Sequence, residues 1–254
     1  MVMPEAYGER RFDQGPKTYS DSDFLDSIHA ATALEKSLDG RVVLDLMSGP
    51  GKVALGVQER SPHHKFVVLD SSQKQLDNIQ APIMKMLGDV RDLEIIADDI
   101  VDVGIVRYGL KDIPKDQQLD VLRQIHRIIK PDGLVIVVDM FSPEQMREWN
   151  TAQHSLKQQL SGRNIQTEGE CYIPEEEEWL DLLKQAGFLP EVFDYYTSRV
   201  TTNDWVKGNQ ISDEQREEMD KFLLSAPEDV KKEFNIRQEG EDVKIDYPVI
   251  IIRA

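Results

Sequence analysis

The feature that most constrains this fold is a regular alternation of short apolar segments with helical segments. Five apolar runs of strand length lie at residues 42–44, 66–69, 83–87, 101–106 and 134–138. Segments with helical periodicity lie at residues 52–59, 73–80 and 116–129. This alternation predicts an α/β fold, in which helices cover both faces of a mostly parallel sheet. Right-handed crossovers then bring the carboxyl ends of the strands to one edge, where open α/β sheets bind ligands.

Composition narrows the class of protein. The 254 residues include 30 Lys and Arg against 47 Asp and Glu, which gives a net charge of −17. This acidic balance disfavours nucleic acid as a partner, because phosphate backbones require clustered basic residues. No apolar run approaches the roughly 20 residues of a membrane-spanning helix, and Cys171 has no second cysteine to pair with. We therefore expect a cytoplasmic protein with no membrane partner.

A glycine turn after the first strand is the most informative motif. Asp45 ends that strand, and Gly49-Pro50-Gly51 leads into the following helix. Glycines let the backbone approach a ligand closely, and a helix start presents N–H groups to it. Asp70 ends the second strand, 70 − 51 = 19 residues after Gly51, where a carboxylate commonly holds ribose hydroxyls. The spacing predicts a nucleoside-containing ligand.

The charge of Asp45 distinguishes between two candidate ligands for this turn. Asp45 would repel the pyrophosphate of a dinucleotide and attract the ammonium group of S-adenosylmethionine. Asp89, at the end of the third strand, is placed to accept from the adenine amine. The glycine pattern has Ala54 at its third position, a substitution that some dinucleotide sites tolerate. A nicotinamide-dependent oxidoreductase therefore remains the alternative at this point.

At these residues the chain resembles the class I S-adenosylmethionine-dependent methyltransferases, well over residues 40–140 and loosely elsewhere. The segments that carry the resemblance are residues 44–51, 67–72, 89–90, 102–114, 129–133 and 186–188. Many family members have glycine where Met47 stands. The resemblance implies cofactor contacts by Asp45, Met47, Gly49, Gly51, Asp70, Ser71, Asp89, Val90 and Arg107.

The resemblance also implies an architecture for the whole chain. We expect a single domain over residues 1–254, with a doubly wound, Rossmann-like sheet of seven strands, the last of them antiparallel. An N-terminal arm and helix would occupy residues 1–39, and the cofactor-binding core residues 40–140. Helical insertions would follow at 141–172 and 203–240. In this family such additions commonly cover the substrate.

The activity implied is transfer of a methyl group from the sulfonium of S-adenosylmethionine to a small-molecule acceptor by in-line displacement. Positioning can supply much of the catalysis, and we assign no catalytic residue. Tyr19, Tyr108 and Trp149 are candidates for substrate contact. No metal is expected, because His63-His64 has no second pair at ligand spacing. A non-catalytic binding protein of the same fold, which could form a homo-oligomer, is a further alternative.

Overall fold

The computed structural model describes residues 22–162, 169–209 and 211–254. Within them, the strands are β1 (Val42–Leu46), β2 (Lys65–Asp70), β3 (Met84–Leu87), β4 (Val101–Arg107), β5 (Ile129–Met140), β6 (Glu191–Thr201), β7 (Arg237–Glu239) and β8 (Asp242–Arg253). The α-helices are α1 (Ser22–Thr32), α2 (Lys52–Arg60), α3 (Gln73–Asp77), α4 (Lys115–Ile128), α5 (Arg147–Leu160), α6 (Glu176–Ala186), α7 (Thr202–Asn209), α8 (Asp213–Leu224) and α9 (Glu228–Glu233).

The described strands form one sheet in the order β3-β2-β1-β4-β5-β8-β6, and β7 pairs with β8. Strands β1 to β5 pair in parallel, whereas β8 runs antiparallel to both β5 and β6. The predicted doubly wound sheet with an antiparallel last strand is thus confirmed. The seven-strand count is one short, because β7 adds a short hairpin with the start of β8.

Two apolar cores lie on opposite faces of this sheet. Neighbouring residues of a strand point to opposite faces, so Val43 packs in one core with α1 and α2 while Leu44 packs in the other with α4 and α6. Strands β1, β2 and β4 are buried on both sides over most of their length and therefore read as continuous apolar runs rather than as an alternation, whereas β3 is largely exposed. Burial on both faces explains why these strands could be recognised in the sequence as apolar runs.

Several boundaries differ from the sequence prediction; the helical segment predicted over residues 73–80, for example, ends at Asp77. Apolar residues spaced by three and four predict a first helix from about residue 23 to residue 38, but α1 ends at Thr32, because Ala33 adopts a left-handed φ of 54° and a short 3-10 turn follows. The sequence Pro131-Asp132-Gly133 predicts a tight turn before the fifth strand, but these residues lie within β5. There the pairing register with β4 is irregular between the Val101–Ile129 and Val103–Leu134 pairs.

The additions after β5 and before β8 pack against each other. Trp149 of α5 stacks on Phe222 of α8 and on Phe234, with ring centroids 5.7 and 5.4 Å apart. The Tyr247 hydroxyl of β8 donates to Gln153 of α5 at 2.9 Å. The region predicted as a helical insertion, 203–240, contains most of α7, all of α8 and α9, and also strand β7. No helix among the described residues has the length and apolar character needed to span a bilayer.

The strand order places a topological switch point beside β1. The chain passes from β1 to β2 on one side, whereas β4 pairs with β1 on the other. A crevice therefore opens between the turns that follow β1 and β4. Asp45 and Asp70, near the carboxyl ends of β1 and β2, and Tyr108, which follows β4, meet at this edge.

Trp179 links helix α6 to the end of β5. Its side chain is fully buried, and its Nε1 donates to the carbonyl oxygen of Met140 at 2.9 Å. We expect Trp179→Phe to lower the free energy of unfolding by about 1–3 kcal/mol, because the buried carbonyl loses its donor. Urea denaturation measures this change. Leu189→Ala, at a side chain that is 92% exposed, is the control and should change it by less than about 0.5 kcal/mol; equal effects would contradict the prediction.

Candidate functional site

The turn between β1 and α2 is built from left-handed residues. Met47, Gly49 and Gly51 have φ values of 56°, 53° and 70°. A Cβ on Gly49 would have no atom within 4 Å, so the backbone there is open to the crevice. A Cβ on Gly51 would lie 2.9 Å from the Ile79 side chain. Gly49 thus leaves room for a ligand, whereas Gly51 lets the turn pack closely on the protein.

Met47 stands where many family members have glycine, and its side chain is accommodated by Gly109 in the turn after β4. A left-handed φ costs a non-glycine residue about 1–2 kcal/mol. The Met47 side chain packs directly against Gly109, where an added Cβ would lie 2.4 Å from the Met47 sulfur. The turns after β1 and β4 are therefore fitted to each other.

The Asp45 carboxylate, in β1, forms a hydrogen bond with the first turn of α2. It is buried, and its Oδ2 accepts from the backbone N–H of Ala54 at 3.0 Å. Burial raises the pKa of Asp45 to about 7, and nearby Asp70 also raises it, while the Ala54 N–H and Arg107 act in the opposite direction. Its charge therefore depends on what the crevice holds.

Asp70 clamps the glycine turn to the end of β2. Its Oδ2 accepts from the Gly49 N–H at 2.7 Å, and its Oδ1 accepts from the Ser72 N–H at 2.9 Å. An ionised carboxylate has about four acceptor positions. The carboxylate also lines the crevice, where it can meet the hydroxyl groups of a ligand.

Asp89 follows β3 and pairs with Arg91. The Arg91 guanidinium donates from Nε at 3.0 Å and from Nη2 at 2.5 Å, and its backbone N–H donates at 2.9 Å. Burial alone would raise the pKa of Asp89, but these hydrogen bonds outweigh it and lower the pKa. Asp89 therefore stays ionised and keeps a fixed orientation.

The turn after β4 carries aromatic and cationic groups. The Arg107 guanidinium carbon lies 4.0 Å from the ring centroid of Phe24 in α1 and 4.6 Å from that of Tyr108. Tyr108 has a left-handed φ of 55°, a conformation that is uncommon for a residue other than glycine. Across the crevice, burial lowers the pKa of Lys52, and the charge of Arg107 lowers it further.

These groups line one crevice, together with several residues that sequence reasoning missed. Of the nine predicted cofactor residues, eight line it: Asp45, Met47, Gly49, Asp70, Ser71, Asp89, Val90 and Arg107. Gly51 lies in the turn but not on the lining. The lining residues not predicted from the sequence include Lys52, Gln75, Lys111, Met140 and Lys157. Lys157 comes from the segment after β5, which the family resemblance marked only as a covering element.

The three predicted substrate residues have different positions. Tyr108 lines the crevice. Trp149 is not among the lining residues and instead stacks on Phe222 and Phe234. Tyr19 lies outside the described residues. Among the residues that the structure describes, no group of three or more His, Cys, Asp or Glu side chains is arranged to hold a metal ion.

Comparison with known proteins identifies the family. Residues 43–133 match the sequence model of a family described as "Methyltransferase domain". The chain thus carries a class I S-adenosylmethionine-dependent methyltransferase domain. The matched segment of this methyltransferase domain runs from β1 into β5 and includes the glycine turn and all three crevice carboxylates, so the resemblance stated from the sequence is confirmed.

Individual relatives agree with this assignment over part of the chain. Demethylmenaquinone methyltransferase of Chlamydia muridarum is 29% identical over 106 residues, which is 40% of this chain and 45% of the relative. The chain therefore spans about half the length of the curated relatives it matches.

Two solved structures share the fold over nearly the whole chain. The YcgJ protein of Bacillus subtilis superposes with a TM-score of 0.76 at 16% identity, covering 92% of this chain and 97% of that one. A putative methyltransferase of Bacillus halodurans gives 0.72 at 20% identity, covering 92% and 98%. At these identities the likeness shows the fold of the methyltransferase domain with its additions, and nothing finer.

The contact between Met47 and Gly109 yields a stability prediction. Gly109 has an ordinary φ of −105°, so Gly109→Ala should lower the free energy of unfolding by overpacking alone, by about 1–3 kcal/mol. In a Met47→Gly background the same change should cost less than about 1 kcal/mol. A double-mutant cycle in urea measures the coupling. Gly88→Ala is the control, because its Cβ would lie 3.5 Å from Leu69; strictly additive costs would contradict the prediction.

Asp45 yields a pH prediction. Its pKa is about 7 in the folded chain against an ordinary value of 3.8, so between these values the folded state binds more protons than the unfolded state. The contribution of Asp45 to the free energy of unfolding therefore falls as pH rises from about 4 to 7, by at most about 1.4 kcal/mol per pH unit. Asn can still accept from Ala54, so the stability of Asp45→Asn relative to the native chain should rise across this window and level off above it.

Urea denaturation at a series of pH values from 5 to 8 measures this difference. Asp139→Asn is a matched comparison, because burial raises the pKa of Asp139 to about 6. The stability of Asp139→Asn relative to the native chain should also rise with pH and should level off about one pH unit lower. A difference for Asp45→Asn that is equal at pH 5 and pH 8 would contradict the prediction.

Proposed function

We propose that this chain binds S-adenosylmethionine in the crevice beside β1 and transfers its methyl group to a small-molecule acceptor. One observation carries the proposal. Three carboxylates, Asp45, Asp70 and Asp89, stand at three successive strand ends around an open glycine turn, and all three line the same crevice. This arrangement suits a nucleoside joined to a cationic amino acid.

The charges favour this cofactor over a dinucleotide. S-adenosylmethionine supplies an electrophilic methyl group on a positively charged sulfur, and its amino acid portion carries an ammonium. Asp45 would be ionised beside such cations, because nearby positive charge lowers the pKa of a carboxyl group. A pyrophosphate at the same turn would be repelled by Asp45 and by Asp70, which is held 2.7 Å from the Gly49 nitrogen.

Each part of the cofactor has a suitable group. Asp70, which lines the crevice at the end of β2, would accept from the ribose hydroxyls. Asp89, oriented by Arg91, can accept from the adenine amine, while the backbone of Val90 flanks the base. Arg107 offers a guanidinium fork, which suits the carboxylate of the amino acid portion.

A small molecule is the acceptor class that the charges support best. The chain carries a net charge of −17, which opposes approach of a polynucleotide. The curated relatives named as demethylmenaquinone methyltransferases act, by that name, on a small molecule. Alignment of the acceptor with the methyl group would supply much of the rate, and Tyr108 is the predicted substrate residue that lines the crevice.

The first test is a calorimetric titration with S-adenosylmethionine, S-adenosylhomocysteine and NADPH. We expect micromolar binding of the first two and none of the third. Asp70→Asn should weaken S-adenosylhomocysteine binding roughly tenfold or more, because Asn can still accept from Gly49 but has one acceptor oxygen instead of two. Asp70→Ala should weaken it further, since the clamp on the turn is also lost.

Asp77→Asn, on the exposed side of α3, is the matched control and should bind as the native chain does. Unchanged affinity in both Asp70 variants would contradict the assignment of the ribose site. Binding of NADPH instead of S-adenosylmethionine would contradict the proposal as a whole. Transfer of labelled methyl groups to fractions of a metabolite extract then tests turnover.

A further inference from the structure

A methionine side chain lies where the crevice meets the two turns that flank it. Met47 follows β1, lines the crevice and is only partly buried. Its backbone is held in a left-handed conformation, with a φ of 56°. Oxidants such as hydrogen peroxide convert an accessible thioether to a sulfoxide. Met47 therefore places an oxidisable sulfur atom at the lining of the crevice.

The thioether of Met47 is packed against the turn that follows β4. A Cβ built on Gly109 would overlap the Met47 sulfur and would lie 3.0 Å from its Cε. Backbone hydrogen bonds hold this turn in place: the Tyr108 N–H donates to the carbonyl oxygen of Val138 at 2.8 Å, and the Asp112 N–H donates to that of Gly109 at 3.0 Å. The turn is therefore fixed in the position that the unmodified sulfur requires.

An oxygen atom added to this sulfur would disturb the crevice on either side. The thioether sulfur can be oxidised on two faces, which gives two sulfoxide epimers. An oxygen on the face towards Gly109 would occupy space that does not admit even a Cβ, and overpacking of this kind forces the backbone to shift. An oxygen on the other face would replace part of the apolar lining of the crevice by a polar group.

A shift of the Met47 backbone would reach the glycine turn directly. The next residue, Ser48, donates its N–H to the carbonyl oxygen of Leu69 at 3.0 Å. The residue after it, Gly49, donates its N–H to Asp70 at 2.7 Å. A displacement that separates Met47 from the turn after β4 would pull on both hydrogen bonds. The part of the turn that is open to a ligand would then lose its shape.

The other methionines that the structure describes allow an internal comparison. Met140, Met146 and Met219 are 6% exposed or less, whereas Met84 on the edge strand β3 is 64% exposed. Peroxide should therefore reach Met84 as well as Met47, and the three buried side chains more slowly. Met84 is not among the residues that line the crevice. Its oxidation serves as a control for effects that do not arise at the crevice.

We propose that Met47 is a site of reversible oxidation by peroxide, and that its sulfoxide prevents the crevice from binding the cofactor. A lone pair of the sulfur attacks hydrogen peroxide, the O–O bond breaks, one oxygen bonds to the sulfur and the other leaves as water. The sulfur loses two electrons and the peroxide gains them. Methionine sulfoxide reductases reverse the step with a dithiol, which becomes a disulfide while the oxygen leaves as water. This inference rests on the proposed function, because it assigns the crevice to the cofactor.

The experiment treats the whole chain with hydrogen peroxide and maps each sulfoxide by peptide mass spectrometry. We expect oxidation at Met47 and Met84, and binding of S-adenosylhomocysteine that is weaker by at least about tenfold in calorimetry. Circular dichroism should show that the treated chain is still folded. Methionine sulfoxide reductases for both epimers, supplied with dithiothreitol, should restore the affinity, whereas dithiothreitol alone should not. S-adenosylhomocysteine present during treatment should slow the oxidation of Met47 but not that of Met84.

Two variants separate Met47 from the other methionines. Met47→Leu has a similar side-chain volume and no sulfur, and its affinity after treatment is compared with its own affinity before treatment. The two values should agree within about twofold. Met84→Leu is the matched control and should lose affinity on treatment as the native chain does. In the native chain, the loss of affinity should follow the fraction of sulfoxide at Met47 and not that at Met84, a comparison that does not depend on either variant.

Several outcomes would overturn this inference. Met47 that stays reduced while Met84 is fully oxidised would do so, as would native affinity in a chain that carries the Met47 sulfoxide. Equal losses of affinity in treated Met47→Leu and in the treated native chain would assign the effect to another residue. Failure of the untreated native chain to bind S-adenosylhomocysteine would contradict the proposed function, whereas the oxidation of Met47 can be mapped without any ligand.

Discussion

The structure depends on the hydrogen bonds by which two aspartates fix the turn after β1. Asp70 holds the Gly49 N–H from β2, and Asp45 holds the Ala54 N–H from beneath α2. Together they set the position of a left-handed turn at the switch point of the sheet. Without Asp45 the Ala54 N–H would be a buried donor without a partner, a cost of about 1–3 kcal/mol, and without Asp70 the Gly49 N–H would lose the acceptor that holds it to β2. The crevice therefore has its shape before any ligand enters.

The turns after β1 and β4, at the same edge of the sheet, both contain a left-handed residue and pack against each other. Met47 and Tyr108 both adopt left-handed backbone conformations, and Met47 packs on Gly109, which follows Tyr108. A change in one turn therefore alters the other. Asp45 lies near the end of β1 and Arg107 ends β4, so the fit between the two turns also fixes the distance between these two oppositely charged groups.

Much of the site could be predicted from the sequence because its residues follow strands directly. Asp45, Asp70 and Asp89 fall at the ends of apolar runs, and parallel strands bring such ends to one edge. Strand β7 and the end of α1 could not be predicted in this way. The first has only three residues, and the second depends on the left-handed Ala33, for which the sequence carries no local signal.

The sequence by itself determined the sheet, its switch point and the row of carboxylates, because hydrophobic periodicity and the glycine turn are local patterns. Only the tertiary structure decided that Lys157 lines the crevice while Trp149 stacks on Phe222 and Phe234 instead. Both lie on α5, and which face of that helix meets the crevice depends on its rotation. That rotation is fixed by packing against elements distant in the chain, such as α8 and β8, so no local pattern records it.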